Sequence, residues 1–404
     1  MHSLTWRSLR AVLRRRSPIA FDAVALHAPV YLLKSDALLA GSAEFRIHYT
    51  EETVRKILWL MLLAVFGAGG WFAWAVMTPA EPSGQTFVML RPGYSTRRIA
   101  AELKKAGVIQ SEPAFVLWHY VDHKRSLKAG EYLFDKPASI IDVQKRLRRG
   151  DVYFRTVVVP EGYTMFDIAR AVEAAGLGPA DDFLKVAQND TALISDLAPG
   201  ARSLEGYLFP ETYEFSRLMS MHDMAAAMVK QFRVVAHQVG LIPSGDPKAS
   251  MLPVSDPSSG VPQDLAANDV ERTVIMASIV EKETAVAEER PLVASVYYNR
   301  LNKRIALDAD PSIIYAELLA GTYQGALHHA DMSFHSPYNT YRNAGLPPGP
   351  IGNPGRSALE AAIHPALSDY YYFVADAQGH HRFARSLEEH NKNVGAYRKA
   401  MRKR

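Results

Sequence analysis

Apolar and polar positions change period several times along the chain, and the longest unbroken apolar run comes early. Ile57 to Met77, ILWLMLLAVFGAGGWFAWAVM, holds 21 residues without a charge. At about 1.5 Å rise per residue it covers the roughly 30 Å hydrocarbon core of a bilayer, so a transmembrane helix is predicted. Two β-rich runs follow, FVML at 87–90 and TVVV at 156–159. Each leads through a turn with Pro and Gly to a Ser or Thr N-cap and an amphipathic helix that ends at Gly. Gly93-Tyr94-Ser95, Ile99, Ala100, Leu103 and Ala106-Gly107-Val108 recur 69 residues later as Gly162-Tyr163-Thr164, Ile168, Ala169, Val172 and Ala175-Gly176-Leu177, an internal repeat. The first copy continues with a helical run, Glu112 to Val121, and a strand, Gly130 to Phe134, giving the order β-α-α-β. That order is similar to LysM, a small peptidoglycan-binding module; a plain spacer reads the same way.

Pro179 to Gln238 reads as mostly helical, interrupted by LEGYLFPETYEF at 204–215. Ile242 to Leu265 is rich in Pro, Ser and Gly without period, and is predicted to be a mobile insertion. Ala277 to Leu301 reads as one helix. Beyond it come LDADP at 307–311 with a short helix, the turn-dense block SPYNTYRNAGLPPGPIGNPG at 336–355, and an apolar helix from Ser357 to Ile363. The end is a hairpin around Gln378-Gly379 and a basic C-terminal helix opened by the capping box Ser386-Leu387-Glu388-Glu389. The fold class is α+β.

Composition narrows the chemistry. A length of 404 residues and a 48% hydrophobic content suit two or three domains with an ample core. A net charge of +4 is too mild to argue for nucleic acid, though it suits an anionic polymer or lipid. The absence of cysteine excludes disulfides, thiol catalysis and Cys-based zinc sites. The fourteen histidines show no HExxH or other ligand spacing, and no phosphate-binding Gly motif occurs, so neither metal nor nucleotide cofactor is expected.

The first 56 residues carry nine Lys and Arg against five Asp and Glu. The positive-inside rule then places residues 1–56, read as a disordered basic tail, in the cytoplasm, and everything after Met77 outside. A cleaved signal peptide is the rival, with Ala73-Trp74-Ala75 as its site, but the run is long for one and the segment before it far longer.

Within the 277–301 helix, a wheel at about 100° per residue separates two neighbouring carboxylates. Glu283 falls in the stripe Met276, Ile279, Val280, Val286 and Ala287, whereas Glu281 points away with Ser278, Ala285, Glu288 and Glu289. A carboxyl in an apolar stripe is costly to ionise, so its pKa rises, as a general acid working near neutral pH requires. A structural ion pair with Arg290, seven residues on, is the plain alternative.

The segments PEGYT (160–164), EGYLFPETY (205–213), ASIVEKETA (277–285), LDADPSIIY (307–315), SPYNTY (336–341), GLPPGPI (345–351), HPA (364–366) and YYFVAD (371–376) resemble, in order, those of the YceG-like, or MltG-type, endolytic murein transglycosylases. The resemblance runs over roughly residues 84 to 400. It implies a single-span inner-membrane lyase with a LysM-like subdomain and an outer catalytic domain. Such enzymes cleave nascent peptidoglycan glycan strands between MurNAc and GlcNAc without water, leaving a 1,6-anhydro end. The catalytic glutamate so implied is Glu283, on a helix, serving as acid and then base.

The domain boundaries expected are a tail at 1–56, the span at 57–77, a LysM-like subdomain at 78–155 and a catalytic domain at 156–404. Tyr338, Asn339, Thr340 and Tyr341 are candidates to line a saccharide cleft. Glu205 and Glu211 are candidates to bind sugar or brace loops, and Asp310 to hydrogen-bond or cap. Peptidoglycan synthases are candidate partners. Two other readings stand beside this one: a non-catalytic peptidoglycan-binding scaffold, and a muramidase hydrolase with Asp308 or Asp310 as second carboxylate.

Overall fold

In a computed structural model, the structure describes residues 50–123, 125–243 and 270–402. The basic tail up to residue 49 and most of the 242–265 insertion lie outside the described residues. The chain divides into two units, 1–65 and 66–404. Of the first, the described part is the opening of helix α1 (Glu51–Met77), whose apolar side chains from Ile57 to Leu63 are exposed. α1 is long and apolar enough to cross a membrane, and it is the one such helix among the described residues.

The second unit holds two hydrophobic cores. The first belongs to β1 (Thr86–Leu90), α2 (Thr96–Lys105), α3 (Glu112–Val121), β2 (Gly130–Phe134) and α4 (Ile140–Arg149), with β1 and β2 antiparallel. Ser95 and Ser111 accept the capping N–H groups of Arg98 and Ala114, so both helices start where the sequence places a small hydroxyl. Ile99, Leu103, Phe115, Tyr132 and Leu147 fill the centre.

The repeat goes further than sequence periodicity showed. β3 (Arg155–Val158), α5 (Met165–Ala174), α6 (Ala180–Asn189) and β4 (Thr212–Phe215) form a second βααβ unit, with β3 and β4 antiparallel in the register Val157 to Tyr213. Thr164 and Asp167 close a capping box on α5, the counterpart of Ser95 on α2. Gly107 and Gly176 hold φ of +73° and +71° just past the two first helices, a conformation in which a Cβ is strained. The return strand β4 is the TYEF of the segment that breaks the helical pattern.

The larger core adds α7 (Met221–Gln238), α8 (Val270–Glu283), α9 (Arg290–Asn302), α10 (Asp310–Ala320) and α11 (Arg356–Ile363). The hairpin β5 (Tyr372–Ala375) and β6 (His381–Ala384) and helix α12 (Leu387–Met401) complete the chain. The single helix expected over 277–301 is two. α8 stops at Glu283, a 3-10 turn spans Ala287–Glu289, and α9 starts afresh. Pro291 is the reason: it has no N–H to continue a helix and its ring would meet the carbonyl four residues back, yet it fits the first turn of a new one.

Candidate active site

Glu283 is the last residue of α8, one to two turns beyond Met276, Ile279 and Val280, all fully buried. The stripe that singled it out holds over those three positions; Val286 and Ala287 lie past the helix end. Glu283 itself is half-buried. The break at residues 284–289 lets α9 fold back on α8, and Tyr297 donates its hydroxyl hydrogen to Glu283 Oε2 at 3.0 Å. Tyr297 is buried, with its ring edge-on to Phe373 at 5.7 Å.

Desolvation pushes the Glu283 carboxyl up to about 7. The bond from Tyr297 opposes this, the negative charge of Asp310 adds to it, and Arg300 opposes it at longer range. The position at a helix C-terminus, where the backbone dipole is negative, works in the raising direction too.

Arg290 does not neutralise Glu283. Its guanidinium binds Glu281 at 2.6 Å and Glu161 at 3.5 Å, and also reaches Ser357 Oγ. Glu281 Oε2 further accepts the Gly355 N–H at 2.9 Å. A Cβ on Gly355 would fall within 1.9 Å of Glu161 Oε1, so any larger residue there would displace the Glu161 side chain. Lys282 Nζ donates to the Gly162 carbonyl at 3.2 Å. The two carboxylates therefore divide the work: Glu281 ties the end of α8 to its surroundings, and Glu283 has no ion-pair partner among the described residues.

Asp310 opens α10 and accepts the Tyr341 hydroxyl hydrogen at 2.6 Å. Asp308, held at φ +51°, is taken by Arg300 at 3.0 Å. The same guanidinium holds the carbonyls of Ala306, Leu307 and Tyr371. Arg300 thus fixes the loop that delivers Asp310. Among the described residues no group of three or more His, Asp or Glu is placed to hold a metal ion.

A family model described as the YceG-like family matches residues 88–396. The chain belongs to the YceG-like family. It is 33% identical over 352 residues to an endolytic murein transglycosylase of Bacillus subtilis, covering 82% of this chain and 91% of that protein. A second relative, the endolytic murein transglycosylase of Streptococcus pneumoniae, is 31% identical over 84% of this chain but only 64% of its own length. A crystal structure of a YceG-like protein from Listeria monocytogenes aligns with a TM-score of 0.48 at 32% identity, covering 76% of this chain and 98% of that one.

In this YceG-like chain the other site candidates fall in distinct places. Of the 338–341 run only Tyr341 is exposed. Tyr338 packs its ring 5.1 Å from that of Tyr315. The Asn339 amide is spent on the carbonyls of Met332 and Phe334, and Thr340 Oγ1 accepts the Ala309 N–H at 2.9 Å. Together these fix Tyr341 against Asp310.

Glu205 is 1% exposed. It accepts the Met165 N–H at 3.0 Å and the Asn353 amide at 2.7 Å, and burial lifts its pKa to about 8. The same Asn353 accepts the Leu208 N–H at 2.9 Å, so this buried knot joins the 160–165, 204–208 and 351–355 segments. Glu211 is exposed just before β4, with its carboxylate accepting the Thr212 N–H. Sequence reasoning missed Tyr297, Arg300 and Asn353. Pro291 was the available signal for Tyr297, since a chain that turns back there brings α9 alongside α8.

Proposed function

We propose that this protein is a peptidoglycan lytic transglycosylase in which Glu283 supplies both the acid and the base. The observation that carries the reading is the environment of Glu283: a carboxyl near pKa 7, without a salt bridge among the described residues, beside a second carboxylate that takes the local arginine. A group poised near neutral pH can give and recover a proton at little cost in either direction.

In the forward step the Glu283 proton passes to the glycosidic oxygen between MurNAc and GlcNAc. The C1–O bond breaks with its electron pair on the departing GlcNAc oxygen, and positive charge builds at C1. The 6-hydroxyl oxygen of the same MurNAc then bonds to C1, and its proton goes to the Glu283 carboxylate, restoring the acid. No water enters, because the nucleophile is tethered within the substrate and gains the advantage of an intramolecular attack. Tyr297 bonds Oε2 and steadies the carboxylate between the two transfers, leaving the other oxygen to face the sugar.

The remaining parts of the reading follow from the elements. α1 anchors the protein in the bacterial inner membrane, with residues 1–56 cytoplasmic and the rest outside, so that strands are met near their synthesis. Peptidoglycan synthases are the natural neighbours there. The first βααβ unit acts as the LysM-like glycan-binding part of the assembly.

The test is mass spectrometry of products from purified glycan strands treated with the full-length protein in detergent, wild type beside Glu283→Gln. Ends one water lighter than hydrolytic ends, absent with the variant, support the lyase. Reducing ends would instead make it a muramidase, with Asp310 as the second carboxylate. No cleavage by wild-type protein reconstituted in membranes would favour a glycan-binding scaffold.

A further inference from the structure

α1 does not end in a free linker. Phe72, Ala75 and Val76 pack into the core of the first βααβ unit, and Trp118 of α3 lies against Phe72 with ring centroids 6.5 Å apart. Trp71 and Trp74, beside that buried face, stay 48% and 58% exposed and line an open groove with Lys104, Gly107 and Gln110. The unit therefore wraps the last two turns of α1.

Span length decides where this wrapping sits. The uncharged run starts at Ile57, after Arg55 and Lys56. A bilayer core of about 30 Å takes about 20 residues of helix. Were the span to stop at Trp71, before the wrapped turns, residues 57–71 would cover only about 22 Å. The wrapped turns must therefore lie within the outer edge of the bilayer, and the α3 that packs on them lies at the same level.

At that level α3 turns an apolar stripe outward: Leu117, Tyr120 and Val121, at i, i+3 and i+4, are 49%, 55% and 53% exposed. Single exposed apolar side chains need no explanation. An exposed apolar stripe on a helix packed at that depth, in the same unit as the exposed Trp71 and Trp74 and the groove-lining Lys104, is what an interfacial surface presents. We propose that the first βααβ unit docks on the outer surface of the bilayer, with the Leu117–Val121 edge of α3 among the upper acyl chains and Lys104 at lipid phosphate. The unit is then seated on the membrane instead of swinging from it. This rests on the membrane-anchor reading above.

The absence of cysteine makes a clean test. Single nitroxide labels are placed at Leu117→Cys, Val121→Cys, Phe66→Cys in the span, and Gln378→Cys in the exposed β5–β6 turn. The full-length chain is reconstituted in phosphatidylethanolamine–phosphatidylglycerol vesicles, and access to oxygen and to a water-soluble nickel chelate is measured by power saturation. The expected result is severalfold lower nickel access at 117 and 121 than at 378, with oxygen favoured as at 66. Nickel access at 117 and 121 equal to that at 378, with 66 still lipid-like, overturns the docking. An aqueous label at 66 overturns the anchor itself, and the docking with it.

Discussion

Tyr297 donates to Glu283 Oε2 across 3.0 Å, so the middle of α9, folded back on α8, reaches the carboxyl that α8 leaves at its end. Burial raises that carboxyl and Tyr297 draws it back down. The pKa of about 7 is a balance between the two, and the balance can be moved from either side.

Tyr297→Phe removes the lowering partner, so the Glu283 pKa should rise above about 7 and the alkaline limb of kcat/KM should move to higher pH. A hydrogen bond to a charged group contributes about 1.5–3 kcal/mol. Losing it from the carboxylate that must form between the two proton transfers should lower kcat by roughly ten- to a hundredfold. pH–rate profiles on glycan strands check both; an alkaline limb shifted downward would sink the assignment.

Asp310→Asn should move the same limb the other way. The Asp310 charge disfavours the Glu283 carboxylate, and its loss lets Glu283 release its proton at lower pH. Activity at pH 7.5 should then fall relative to pH 6, while Tyr341→Phe, which leaves Asp310 charged but without its 2.6 Å donor, should not lower the limb. Matching limb positions in wild type and Asp310→Asn would mean that this charge does not reach the acid.

Much of this arrangement was legible in the sequence, and the limits have physical causes. Met276, Ile279 and Val280 pointed to Glu283 because they share one unbroken helix with it. Val286 and Ala287 did not belong to that stripe, since Pro291 forces a restart that wheel geometry ignores. The caps at Ser95 and Thr164 and the repeat they mark were readable as local chemistry. The return strand β4 was not, because it pairs with β3 across a long gap in sequence, Val157 with Tyr213 and Arg155 with Phe215. The bond from Asn353 to Glu205 spans 148 positions and leaves no periodic trace at all.

Arg290→Ala should unsettle the fold at the site. Glu281 and Arg290 have side chains 5% and 6% exposed, and removing one partner of a buried pair costs about 3–5 kcal/mol because the other charge stays desolvated. A fall in Tm on the order of 10 °C follows. Glu281→Gln with Arg290→Met, which removes both charges, should recover much of it in calorimetry. A double variant no more stable than Arg290→Ala would show that the pair is not what is being lost.

Glu205 gives a pH signature separate from catalysis. Its pKa is 4.5 in an ordinary setting and about 8 in the fold. Below pH 4.5 both folded and unfolded chains carry the proton, and the group sets no pH dependence. Between 4.5 and 8 the unfolded chain releases the proton while the folded one keeps it, so stability falls as pH rises, and the loss is complete above 8. Glu205→Gln has no proton to lose and keeps an oxygen for the Met165 N–H. Its Tm should lie further below wild type at pH 5 than at pH 8.5, the gap narrowing steadily across that window. Thermal melts at half-unit intervals read this directly; parallel curves for the two proteins would mean that Glu205 is ionised in the folded knot, held by Met165, Asn353 and Tyr315 against the cost of its burial.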